Sequence, residues 1–226
     1  MKTKIVSLLY FLTGALFLVL EDKGSFISAF VAKALIIPVL MILLTIRFRA
    51  GLNRCHWLML AGLFFSWAGD VMLELTHLDA NMFIPGLVCF LLTHIIYFTV
   101  FFLTPGESVI IRKYVYLLIP LILYGAGLIY YLYDDLAGFR IPVIIYTIAI
   151  LTMLTGAIDR IKKVNKISFS LVLTGAILFL ISDSAIAINK FSHHFEYSSI
   201  VIISTYVIAQ YLIVAGYINQ FRDNYK

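Results

Sequence analysis

Eight apolar runs, each close to the length a helix needs to cross a bilayer, dominate this 226-residue chain. They lie at 5–20, 26–46, 57–75, 82–103, 114–133, 141–158, 168–189 and 199–221, and they leave room only for short connections. Hydrophobic residues make up 62% of the chain and charged residues 13%, far from the composition of soluble domains. A soluble enzyme is therefore excluded. The chain reads as an all-α, multi-pass membrane protein with eight transmembrane helices, forming a single integral membrane domain over residues 1–226. Lys2 and Lys4 before the first run resemble the start of a signal peptide, but Glu21, Asp22 and Lys23 stand where a small-residue cleavage site belongs. Cys55 and Cys89 form neither a CxxC pair nor a disulfide framework.

The net charge of +5 reports topology here, not a nucleic-acid partner. Thirteen of the 17 cations fall in alternate connections and tails: Lys2, Lys4, Arg47, Arg49, Arg54, Arg112, Lys113, Arg160, Lys162, Lys163, Lys166, Arg222 and Lys226. The other connections hold only Lys23, Arg140 and Lys190, and Lys33 lies inside a span. Positive charge gathers on the cytoplasmic side, so both termini are expected there, which also requires an even number of spans. Short connections make the inner membrane of a bacterium the expected location.

An ionisable side chain at bilayer depth costs a few kcal/mol, so each one requires a partner or a function. At 1.5 Å per residue, Asp70 stands ~20 Å above a span start near Trp57 and Asp183 ~22 Å above Ser168. Lys33 descends ~10 Å from the outer surface at Phe26, which brings it to the same level of a ~30 Å hydrocarbon layer. His94 and Gln210 lie somewhat deeper and suit the floor of a cavity. Gly62, Ser66, Asp70 and Glu74 recur every four residues, a polar stripe whose small members let another helix approach. Phe90, His94 and Tyr97 share one face of the fourth span, as Tyr206, Gln210 and Ile213 do in the eighth. Plainer readings stand beside these: Lys33 snorkelling to the interface, His94 as a packing residue, Tyr97 and Tyr206 as ordinary aromatics, and Glu74 solvated at the outer edge. His77, His193 and His194 fall in outer connections and read as solvated.

The pattern Gly62-x7-Asp70-x2-Leu73 echoes Gly175-x7-Asp183-x2-Ile186 four spans later. Such a shift preserves orientation, so a duplicated four-helix unit that supplies two related carboxylates is a coherent expectation.

The segments Leu63-Phe-Phe-Ser66-Trp-Ala-Gly69-Asp70-Val-Met-Leu73, Gly175-Ala-Ile-Leu-Phe179-Leu-Ile-Ser182-Asp183-Ser184 running on to Asn189-Lys-Phe191, and Tyr206-x3-Gln210 resemble the YhhN-like membrane proteins, the lysoplasmalogenase family. Lys33 and Phe90-x3-His94-x2-Tyr97 are similar to that family's pattern as well, although Pro38 stands five residues after the lysine where the family often has a proline directly after it. The resemblance implies hydrolysis of the vinyl-ether bond of a lysoplasmalogen, with a lysophospholipid and water as reactants. A fatty aldehyde and glycerophosphocholine or glycerophosphoethanolamine would be the products. Asp70 and Asp183 would be the catalytic carboxyls, with Lys33, Ser66, Glu74, His94, Tyr97, Asn189, Tyr206 and Gln210 binding substrate or supporting them. No metal or organic cofactor is required by that chemistry. The competing readings of the same buried charges are a membrane transporter and a lipid-binding protein without turnover. The prolines Pro38, Pro85, Pro120 and Pro142 do not fall at matching places in the two halves, as broken transporter helices would need.

Overall fold

A computed structural model of the chain describes residues 2–48, 51–108 and 115–221. Arg49, Arg112, Lys113, Arg222 and Lys226, counted above toward the basic side, lie outside the described residues. The described residues form helices and no strand: α1 (Lys2–Asp22), α2 (Phe26–Arg47), α3 (Arg54–Leu75), α4 (Phe83–Phe102), α5 (Leu118–Leu132), α6 (Arg140–Asp159), α7 (Lys166–Ala187) and α8 (Ser198–Gln220). Short 3₁₀ turns, Ala80–Met82, Val115–Leu117 and Ala137–Phe139, lead into α4, α5 and α6, and a π turn, Ile188–Ser192, continues α7. With these turns all eight elements are long and apolar enough to cross a membrane. Large apolar side chains such as Leu8, Leu12, Ile122 and Leu123 remain exposed, as hydrocarbon-facing surface does. The chain divides into two compact units, Met1–Val100 and Phe101–Lys226.

In the first unit, α1 stops at Gly24, whose φ of +69° is costly for any residue with a Cβ. Asn53 caps α3 by accepting from the His56 backbone N–H at 3.0 Å, while His56 Nδ1 accepts from the Asn53 N–H at 2.9 Å. This is a reciprocal capping box with histidine in the place usually held by Glu or Gln. The small-residue stripe of α3 brings α4 close: a Cβ on Gly62 would stand 2.5 Å from the Tyr97 ring, and one on Gly69 2.6 Å from the Phe90 ring. Thr93 Oγ1 of α4 donates to the Gly62 carbonyl at 3.2 Å. On the other side Trp67 Nε1 donates to the Ala34 carbonyl of α2 at 2.9 Å.

The second unit is built on an antiparallel α7–α8 pair. Ser168 Oγ donates to the Gly216 carbonyl at 2.7 Å near one end, and Ser182 Oγ donates to the Ile202 carbonyl at 2.9 Å near the other. Between them a Cβ on Gly175 would meet the Ala209 carbonyl oxygen at 2.8 Å, so only glycine permits this approach. Gly175→Ala is expected to lower stability by about 1–3 kcal/mol through overpacking. Gly127→Ala on α5, where nothing lies within 4 Å of the new methyl, should raise it by up to about 1 kcal/mol through helix propensity. Thermal unfolding of the two variants in detergent checks the opposite signs.

A polar knot ties the basic ends of α6, α7 and α8. Arg160, fully buried, donates from Nη2 to Ser168 Oγ at 2.8 Å and to Gln220 Oε1 at 3.2 Å, with its guanidinium 5.3 Å from the Phe101 ring centre. Burial pushes this guanidinium down to about 10, and the nearby Tyr217 works weakly against that shift, so Arg160 remains a cation at neutral pH. Beside it Lys163 Nζ pairs with Asp159 Oδ2 at 2.8 Å, and Ser108 Oγ donates to the other carboxylate oxygen at 2.8 Å. Asn165 caps α7 by accepting from the Ser168 N–H at 2.8 Å and donates from Nδ2 to the Asn219 carbonyl at 3.1 Å.

Candidate active site

Each unit carries one of the two candidate aspartates, Asp70 and Asp183, both buried, and each sits among groups from other helices. In the first unit α3 presents Gly62, Ser66, Asp70 and Glu74, all four buried. Their fourfold spacing puts them on one drifting face, so one helix supplies a hydroxyl and two carboxyl groups to the interior. Lys33 of α2 donates from Nζ to Glu74 Oε2 at 2.8 Å, with side-chain exposures of 14% and 6%, and lies 5.1 Å from the Phe17 ring centre of α1. The plainer readings of these two residues are corrected here. Glu74 is not a solvated interfacial carboxylate and Lys33 does not simply snorkel, because a charge removed from water needs an opposite charge beside it.

Asp70 is 3% exposed. It lies within electrostatic range of Tyr10 from α1, whose buried phenol also neighbours Tyr97 of α4. His94 and Tyr97 are both fully buried on α4, and Phe90 of the same face packs on Gly69, the residue before Asp70. The α3 and α4 faces read from the sequence thus meet within this unit.

In the second unit Asp183 is 9% exposed and accepts a hydrogen bond on Oδ2 from the Tyr146 hydroxyl of α6 at 2.6 Å. Its neighbours in sequence are fixed as well. Ser182 is bonded to the Ile202 carbonyl of α8, and Ser184 Oγ lies 2.8 Å from the Tyr124 hydroxyl of α5 while donating to the Leu180 carbonyl at 2.7 Å. Three consecutive residues of a helix are spread by about 100° each, so this triplet reaches three different neighbouring helices. Tyr206 of α8 meets the Phe179 ring of α7 edge-on at 5.5 Å, and Gln210 is fully buried one turn further along α8. Asn189 falls in the π turn that follows α7, where its Oδ1 is buried without a hydrogen-bond partner among the described residues. Single π turns of this kind recur at functional sites.

Tyr10, Tyr124 and Tyr146 were not singled out in the sequence, where a tyrosine within an apolar run is ordinarily a packing or interfacial aromatic. Depth carried a usable signal for Tyr146: six residues from Arg140 place it ~9 Å from the start of its helix, as far as Asp183 was expected to lie from the corresponding edge of the hydrocarbon layer.

Eight membrane-length helices among the described residues, with polar and ionisable side chains buried within each of the two units, define a multi-pass integral membrane protein. The chain belongs to the YhhN family, whose profile matches residues 28–217. It is similar to the lysoplasmalogenase TMEM86A of Bos taurus, 34% identical over 157 residues that cover 67% of this chain and 61% of the relative. With the lysoplasmalogenase TMEM86B of Sus scrofa it shares 27% identity over 207 residues, 90% of this chain and 82% of the relative. The human TMEM86A, also named a lysoplasmalogenase, is 34% identical over 164 residues. The chain thus spans about three fifths of the length of the TMEM86A relatives it matches. No solved structure matches it.

Proposed function

We propose that this chain hydrolyses lysoplasmalogens at the vinyl-ether bond, with Asp70 and Asp183 as the working carboxyls. The observation that carries the reading is that the family match, over 28–217, includes the buried Asp70 and Asp183 in a chain related to proteins named lysoplasmalogenases. A vinyl ether is cleaved when an acid protonates its β-carbon. The π electrons of the double bond form the new C–H bond, and the ether oxygen stabilises the resulting oxocarbenium ion. Water then adds to the α-carbon and gives up a proton to the second carboxylate; as the hemiacetal breaks its bond to the glycerol oxygen, that oxygen takes this proton and the hemiacetal hydroxyl returns one to the first carboxylate, releasing the aldehyde. One water is consumed and the acid recovers its proton.

Two carboxyl groups suit this sequence: one delivers the proton, while the other stabilises the cation and takes the proton from water, the division glycosidases use for a similar ion. His94, Tyr97, Tyr206 and Gln210 supply hydrogen bonds to the ether oxygen or to water, and Lys33 with Glu74 holds the outer part of the α3 face. The alkenyl chain occupies apolar surroundings, with the head group toward the side opposite the basic connections. Those connections and both termini face the cytoplasm, in the inner membrane of a bacterium. Purified protein in detergent, given a lysoplasmalogen, is expected to release fatty aldehyde and the glycerophospho-base in equal amounts. Lipid binding without release would contradict the reading.

The Lys33–Glu74 pair yields a separate prediction. Glu74→Ala leaves a largely buried ammonium without its carboxylate and should destabilise the protein by about 3–5 kcal/mol, whereas the double change Lys33→Met with Glu74→Leu should recover most of that loss. Unfolding midpoints of the three variants check it.

A further inference from the structure

We infer that Tyr146 is the positioning residue for Asp183, fixing the carboxylate through the 2.6 Å bond from its hydroxyl to Oδ2. This rests on the proposed two-carboxylate hydrolysis and extends it to a residue outside the acid pair. The bond is made from α6 to α7, and the Asp183 end is anchored independently of it. Asp183 lies between two residues whose hydroxyls are bound to α8 and α5, so the backbone that carries it is held on either side. Tyr146 is one helical residue before Thr147, which is buried and donates from Oγ1 to the Val143 carbonyl at 2.8 Å.

With the Asp183 backbone held, what remains to be set is the rotation of the carboxyl about its own bonds. The short hydrogen bond from the Tyr146 hydroxyl to Oδ2 contributes to that orientation. An acid or base that is turned only slightly from its reacting atom loses much of its rate. Tyr124 provides the internal comparison. It is also a phenol bonded at 2.8 Å to α7, on the adjacent Ser184, but its partner is a hydroxyl that the proposed chemistry does not use.

The experiment compares Tyr146→Phe, Tyr124→Phe and Asp183→Asn in purified full-length protein, with lysoplasmalogen as substrate and rates normalised to folded protein. Tyr146→Phe is expected to lower kcat about 10- to 100-fold with KM within about twofold, the scale of one hydrogen bond to a charged group. It should also change the shape of the kcat–pH profile, which a loss of folded protein merely scales. Tyr124→Phe loosens one of the two anchors of the Asp183 backbone and should lower kcat less than Tyr146→Phe does, with the profile unmoved and the unfolding midpoint lowered. Wild-type kcat in Tyr146→Phe beside an inactive Asp183→Asn overturns the inference and leaves the two-carboxylate reading standing. Equal losses in both tyrosine variants with an unmoved profile assign Tyr146 to packing alone and overturn it too. Full activity in Asp183→Asn removes the two-carboxylate reading and the role of Tyr146 with it.

Discussion

Asp70→Asn and Asp183→Asn should each lower aldehyde release by about 10²- to 10⁴-fold, the range general acid and base groups contribute, with helical content and elution in detergent unchanged. Asparagine has nearly the shape of aspartate and retains an acceptor oxygen for the Tyr146 hydroxyl, so the substitution removes the transferable proton and the negative charge while preserving packing. The losses should not multiply: the double variant is expected to be about as slow as the slower single one, because acid and cation-stabilising base act in one reaction sequence and groups that act as a unit are far from additive. Full activity in either single variant removes that aspartate from the mechanism.

A stability effect as large as that of Glu74→Ala is expected in the knot at the basic end of α6. Asp159→Ala removes the carboxylate that pairs with Lys163, whose side chain is only 3% exposed, and takes away the acceptor of Ser108 Oγ. Stranding a buried ammonium costs about 3–5 kcal/mol. In a chain of this length each kcal/mol moves the midpoint about 2–4 °C, so the melting temperature should fall by roughly 10 °C. Asp159→Asn retains an acceptor for Ser108 and should lose less. A melting temperature within about 2 °C of wild type for Asp159→Ala would show that water reaches this pair. The activity of the folded fraction should not change, since the knot lies at the opposite end of its helices from Asp183.

Much of the fold was legible because hydropathy at bilayer length is a signal carried by every residue of a span. All eight runs coincide with helices, and the ends differ by a few residues at most, as where 141–158 becomes Arg140–Asp159 and 5–20 becomes Lys2–Asp22. That another helix approaches the Gly62 and Ser66 face of α3 was legible as well; that this helix is α4, packed on Gly62 and Gly69, was not. Nor were other pairings between helices. Nothing local joins Lys33 to Glu74, 41 positions away, and Glu74 near the end of its run reads as solvated until α2 is seen beside it. Tyr146 and Tyr10 were hidden for a different reason. A phenol has an apolar body that satisfies any hydropathy window, and only a three-dimensional neighbour shows that its hydroxyl is used. The histidine at the start of α3 was hidden likewise: His56 closes a capping box, a role normally sought in Glu or Gln.

In the proposed reaction proton transfer to carbon opens the vinyl ether, which is tested by running the purified wild-type protein on a lysoplasmalogen in D₂O. Protonation at the β-carbon predicts a fatty aldehyde carrying one deuterium on the carbon next to the carbonyl, trapped before solvent exchange. Aldehyde without that deuterium, or lipid bound and returned unchanged, would contradict the account.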